Sequence, residues 1–167
     1  MNGSDVMEVL DRLQSADVRF WVDGGWGVDA LLGEQTRDHE DLDLVVEREE
    51  CERAATVLRA LGFAHDAEEQ PGLPARFVLR DARGRRVDLH PVVFGPDGNA
   101  WQPLPGGAWG AYPDDGLQGT GGIEGQPVPC ITADLQLRHH LGYGWDENDR
   151  HDMELLAERF GLALPPQ

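Results

Sequence analysis

The chain has 167 residues, 40% of them hydrophobic, with 31 acidic residues against 14 basic ones, every one of them arginine, and a net charge of −17. That length makes one domain, or one domain with a short helical appendage, large enough to bury a core without disulfides or a structural metal. So acidic a surface excludes nonspecific nucleic-acid binding and attracts cationic small molecules, while the lack of lysine leaves any phosphate clamp to Arg, His or backbone N–H. The two cysteines, Cys51 and Cys130, lie far apart without metal-type spacing and are expected as buried free thiols. With no leader-like segment and no apolar run of about 18 residues, a soluble cytoplasmic protein without a membrane partner is expected.

Ser4 and Asp5 offer an N-cap, and the apolar spacing predicts a helix over 5–15. Arg19-Phe20-Trp21-Val22 reads as a strand ending at Asp23-Gly24-Gly25, followed by a helix from Trp26 to Leu32 stopped by Gly33. Residues 41–46 alternate and then turn apolar, as a strand entering a core does. A helix over 49–61, an edge strand over 63–68 and a loop over 69–74 follow. Residues 76–80 and 87–94 read as a hairpin, and 95–99 as a turn. The Gly- and Pro-rich stretch 101–129 is expected to be irregular with one short hairpin, and helices are expected over 132–141 and 146–160. The order predicts an α+β (mixed α/β) sheet with helices packed on it: a core over 1–130 and a helical tail over 131–167.

Asp41 and Asp43 stand two apart on a predicted strand, so both carboxylates point to one face. Like charges that close repel unless a cation lies between them, and hard oxygen ligands suit Mg²⁺. Asp88, between Val87 and Leu89 on another predicted strand, becomes a third carboxylate if the strands are neighbours. Three converging carboxylates on a sheet can hold two metal ions for in-line phosphoryl or nucleotidyl transfer. Gly24-Gly25, at a strand-to-helix junction, would let backbone N–H groups approach phosphates at a helix N-terminus.

Residues 20–33 (FWVDGGWGVDALLG) and 36–44 (TRDHEDLDL) together resemble the small antibiotic nucleotidyltransferases. These are the lincosamide nucleotidyltransferases and aminoglycoside 2″-adenylyltransferases, within the DNA polymerase β-like nucleotidyltransferase superfamily. Residues 87–91 resemble their third-carboxylate strand, and His140-Leu141-Gly142-Tyr143 with Asp149 and Asp152 resembles the tail of the lincosamide enzymes. Trp26, where the wider superfamily has Ser, is shared by this subgroup. The resemblance implies a polymerase β-like core with a short C-terminal helical tail and with ATP and Mg²⁺, two ions, at its site. Asp41 and Asp43 would be metal ligands, Asp88 a shared ligand or general base, and Gly24 and Gly25 the triphosphate cradle. A homodimer is implied by the same resemblance.

Between the glycines and the metal strand, Arg37 is the first choice for a β/γ-phosphate contact, and His39 would hydrogen-bond a phosphate or orient Asp41. His90 shares the strand face of Asp88 and would brace that carboxylate or assist as base. Aromatic residues near predicted loops, Trp109 and Tyr143 among them, are candidates for the wall of an acceptor pocket, beside the plainer reading that they pack loops. The expected activity is AMP transfer from ATP to a hydroxyl of a small, cationic molecule, a lincosamide-type antibiotic first. Alternatives are an aminoglycoside acceptor, or an antitoxin-like module acting on a protein partner.

Overall fold

The computed structural model describes residues 1–66 and 76–164. Helix α1 (Gly3–Ser15) begins ahead of its expected start because Asn2, not Ser4 or Asp5, is the cap. The Asn2 side chain accepts the Asp5 N–H at 2.8 Å and the Asp5 carboxylate accepts the Asn2 N–H at 3.4 Å, a reciprocal capping box. Strand β1 (Phe20–Asp23) runs straight into helix α2 (Gly24–Leu32), so the two glycines form the first turn of that helix rather than a loop before it. Strand β2 (Asp41–Glu47), a 3₁₀ turn (Arg48–Glu50) and helix α3 (Cys51–Ala60) follow as expected.

Strand β3 is only Ala64–His65, with Phe63 and Asp66 outside it; residues 67–68 of its expected span and the loop over 69–74 lie outside the described residues. Strands β4 (Phe77–Arg80) and β5 (Arg86–Phe94) form the expected antiparallel hairpin. The stretch 101–129 departs from expectation, since it holds two hairpins rather than one: β6 (Ala100–Pro103) with β7 (Trp109–Tyr112), and β8 (Gly119–Ile123) with β9 (Gln126–Cys130). Helices α4 (Ala133–His139) and α5 (Glu147–Phe160) close the described chain.

The main sheet runs β3-β4-β5-β2-β1-β9-β8, with β2 parallel to β5 and antiparallel to β1. The end of β5 also pairs with β6, so the β6–β7 hairpin hangs from the same strand. Two-residue periodicity divides the work of the sheet. On one face Phe20, Val22, Leu42, Leu44, Val87 and Leu89 join the core beneath α1 and α3, meeting Val9, Leu13, Ala54 and Leu58. The opposite face is apolar at one end, where Trp21, Val45 and Val92 pack with Tyr112 and Leu135. At its other end the residues one pleat away are Asp23, Asp43 and His90. Helices α2, α4 and α5 form a separate layer around Val28, Leu137, Met153 and Leu156.

Candidate active site

The strand registers pair Asp23 with Asp43, and Asp43 with Asp88, so three carboxylates stand side by side on β1, β2 and β5. Ligand atoms of Asp43, Asp88 and His90 all lie within 4.8 Å of one another. His90 Nε2 is 3.1 Å from Asp43 Oδ1 and 3.9 Å from Asp88 Oδ2, so the ring braces the carboxylates rather than pointing away. Asp88 is fully buried; one oxygen accepts from Arg76 Nη1, and Oδ1 has no hydrogen-bond partner among the described residues. Asp41 shares the face of Asp43 but stands one pleat further along, paired across the strands with Arg86, and is outside the close cluster.

Burial pushes the Asp88 carboxyl above the usual carboxylate range, as do burial and the neighbouring Asp43 charge for Asp41. Burial alone would lower the His90 imidazole. The hydrogen bond to Asp43 and the charges of Asp43, Asp88 and Asp23 outweigh it and carry the ring up to about 9. The Gln102 side chain spans His90 Nδ1 and Tyr112 Oη, at 3.1 Å from each, and Tyr112 Oη is 3.3 Å from Asp23 Oδ2. The Gln102 amide nitrogen faces His90 Nδ1 and its oxygen accepts from the Tyr112 hydroxyl, which is also within hydrogen-bond reach of Asp23, so one polar chain runs from Asp43 to Asp23.

Helix α2 points its N-terminus at this cluster. Gly24 has φ +57°, and a Cβ there would run into the Asp43 carboxylate, so both conformation and close approach demand glycine. A Cβ at Gly25 would meet the His39 ring and the Arg37 guanidinium. The Gly24 N–H is donated to Asp23 Oδ1 at 2.7 Å, and its carbonyl accepts from Gln136 of α4.

Two residues expected to reach a phosphate are held by protein partners in this structure. Arg37 gives its fork to Asp152 of α5, Nε to Oδ1 at 2.9 Å and Nη2 to Oδ2 at 2.6 Å, with Nη1 on the Asp38 carbonyl. It ties the loop after α2 to the helical layer. Buried His39 hydrogen-bonds Asp29 through Nε2, and Asp29 also accepts from the Thr36 N–H and hydroxyl. Its ring packs against Trp26 at a 46° tilt, centroids 4.8 Å apart, so in this structure it braces α2.

A cavity of about 510 Å³ opens over the cluster, lined by Asp23, Gly24, Asp43, Arg76, His90, Gln102, Leu104, Tyr112 and His139, among others. Trp109 and Tyr143 do not line it. Trp109 joins Val93 and Trp101 in an exposed apolar strip on the β5–β6–β7 ribbon, and Tyr143 is exposed in the link between α4 and α5. Sequence reading missed Asp23, Arg76 and Gln102, while Tyr112, one of the loop-borne aromatics offered as a pocket wall, does line the cavity. Arg76 was within reach of two-residue periodicity, because Val78 pairs with Asp88 and Arg76 lies two residues before it. Gln102 and Tyr112 sit in the stretch taken as irregular.

The donor set suits a hard divalent cation: two carboxylates from neighbouring strands, one with an unpartnered buried oxygen, crowded in a way that costs energy without a counter-charge.

Comparison with known proteins places this geometry. The family model described as aminoglycoside-2″-adenylyltransferase matches residues 5–156. The chain belongs to that family. As a member of this nucleotidyltransferase family it is 30% identical over 152 residues to a lincosamide resistance protein of Staphylococcus haemolyticus, covering 91% of this chain and 92% of the relative. It is 35% identical over 146 residues to a 2″-aminoglycoside nucleotidyltransferase of Escherichia coli, covering 86% of this chain and 76% of that one. The crystal structure of the lincosamide antibiotic adenylyltransferase LnuA, lincomycin-bound, superposes with a TM-score of 0.78 at 29% identity, covering 92% of this chain and 94% of LnuA. The family expected from residues 20–44 and 87–91 is thus the family found, and the mixed sheet is its fold.

Proposed function

We propose that this chain transfers AMP from ATP to a hydroxyl of a lincosamide-type antibiotic, in a Mg²⁺-dependent reaction. The observation that carries the reading is the Asp43–Asp88 pair on neighbouring strands at the N-terminus of α2, with one buried Asp88 oxygen left without a hydrogen-bond partner among the described residues. Near-complete coverage of the lincosamide resistance protein in both directions favours that acceptor class.

Asp41, Asp43 and Asp88 would hold Mg²⁺, which would neutralise charge developing on the phosphates. Asp88 takes the proton of the acceptor hydroxyl. The freed oxygen forms a bond to the α-phosphorus as the bond to the β-phosphate oxygen breaks, and pyrophosphate leaves. His90 holds Asp43 in place through Nε2. With Arg37 paired to Asp152, Arg76 to Asp88 and the Gly24 N–H to Asp23, the phosphates fall to the Gly25 and Trp26 N–H groups of α2. The cytoplasm, where ATP is supplied, is the compartment this activity requires, and sedimentation velocity tests the homodimer.

An aminoglycoside acceptor is the second reading, favoured by the net charge of −17, which suits a polycation better than a molecule with one amine. Incubation with Mg²⁺-ATP and either lincomycin or tobramycin, followed by pyrophosphate release and mass spectrometry of the antibiotic, separates the two. Pyrophosphate release with neither refutes both.

A further inference from the structure

Asp23 takes no part in the chemistry described above, yet it lies in register with the two carboxylates that do. It is 8% exposed and lines the cavity. One oxygen accepts the Gly24 N–H at 2.7 Å and the other the Tyr112 hydroxyl at 3.3 Å. A carboxylate has about four acceptor positions, so two donors leave it capacity. Among the described residues no arginine forms an ion pair with it, and it lies outside the close cluster of Asp43, Asp88 and His90. A carboxylate with spare acceptor capacity at a cavity wall can take a hydrogen bond from a donor that enters the cavity. Capping α2 does not require the charge, since Asn caps as well as Asp.

We propose that Asp23 is a specificity-determining residue that accepts a hydrogen bond from a hydroxyl or ammonium group next to the reacting hydroxyl of the acceptor. The inference rests on the acceptor reading above and narrows it to molecules with two donors on adjacent carbons. Asp23 on β1 and Asp88 on β5 are separated by β2, two strand spacings or about 9.6 Å. Two adjacent ring substituents, one held by Asp88 and the other by Asp23 through hydrogen bonds of about 2.8 Å each, reach across that span. Tyr112, which also contacts Gln102, lies within hydrogen-bond reach of the Asp23 carboxylate, and Leu104 gives the cavity an apolar surface for the rest of the molecule.

Calorimetric titration of the wild type, Asp23→Asn and Tyr112→Phe with lincomycin, with tobramycin and with Mg²⁺-ATP tests this. Asp23→Asn should weaken binding of the antibiotic ten-fold or more, the size of a lost charge-assisted hydrogen bond. Mg²⁺-ATP should stay within two-fold, and the thermal midpoint within a few degrees. Tyr112→Phe leaves the cap of α2 alone and should weaken the antibiotic in the same direction by less; it decides the matter if Asp23→Asn does not fold. Antibiotic affinity unchanged in the folded variants overturns the inference alone. Equal weakening of Mg²⁺-ATP also overturns it, by placing Asp23 in the metal and nucleotide site. A wild type that neither binds nor adenylylates either antibiotic overturns the acceptor reading and this inference with it.

Discussion

Three elements of the site meet at Asp43: Gly24 gives it room, His90 holds it, and Asp88 stands beside it in register. Asp43→Asn keeps the volume and removes the charge. Nucleotidyl transfer should fall on the order of a thousand-fold, the equivalent of several kcal/mol of charge stabilisation, with the near-ultraviolet circular dichroism retained. Transfer close to the wild-type rate would take Asp43 out of the reaction. The pair Asp43 and Asp88 was legible in the sequence because each stands among apolar neighbours on a strand, where a two-residue period fixes the face. Asp23 was not, since a carboxylate before two glycines reads equally as a turn or a helix cap, and only the strand register shows what lies beside it.

At the scale of elements, two ion-pair clusters join pieces distant in sequence. Arg37 and Asp152 clip the loop after α2 to α5. Arg37→Ala and Asp152→Ala should each cost about 2 kcal/mol, a fall in Tm of about 6 °C. The double variant should cost little more than either single one, and the KM for ATP should hold within about three-fold. An unchanged Tm with a ten-fold rise in that KM would return Arg37 to the phosphates. The second cluster ties the β4–β5 turn to α1: Arg85 Nε donates to Asp81 and its Nη1 to Asp5 and Glu8. Burial alone would raise the Asp81 carboxyl, but its hydrogen bonds with Arg85 hold it below the usual range. A lowered folded pKa means that the stabilisation is present above the ordinary carboxylate range and is lost as pH falls through the folded value. Arg85→Gln should therefore cost about 3 kcal/mol near neutral pH, and urea titrations should show the gap from wild type closing below about pH 4. A constant gap at low pH would assign the loss to packing. The elements that the sequence concealed, β6 to β9, share a physical cause. Gly121 packs against Ala30 where a side chain would not fit, and Pro127 and Pro129 occupy exposed positions of β9 beside buried Val128 and Cys130. Tertiary contact, not local propensity, makes those residues strands.

For the whole molecule the governing quantity is charge. From Asp114 to Gln167 ten acidic residues face three arginines, a local balance of −7. A cationic acceptor should be drawn in by that field and released by salt. Raising ionic strength from about 0.05 to 0.5 M shortens the Debye length from roughly 14 to 4 Å and should raise the acceptor KM several-fold. The KM for Mg²⁺-ATP should change less, or fall. A salt-insensitive acceptor KM would make the surplus acid a solubility device. The connectivity of β5 has a different consequence. The β6–β7 hairpin leaves the end of β5 and stands off the main path of the sheet, yet it supplies Gln102, Leu104 and Tyr112 to the cavity. One wall of the pocket is thus carried by a hairpin that contains none of the carboxylates, and a change at Leu104 in its turn would reshape the space for an acceptor without interrupting a strand that bears one.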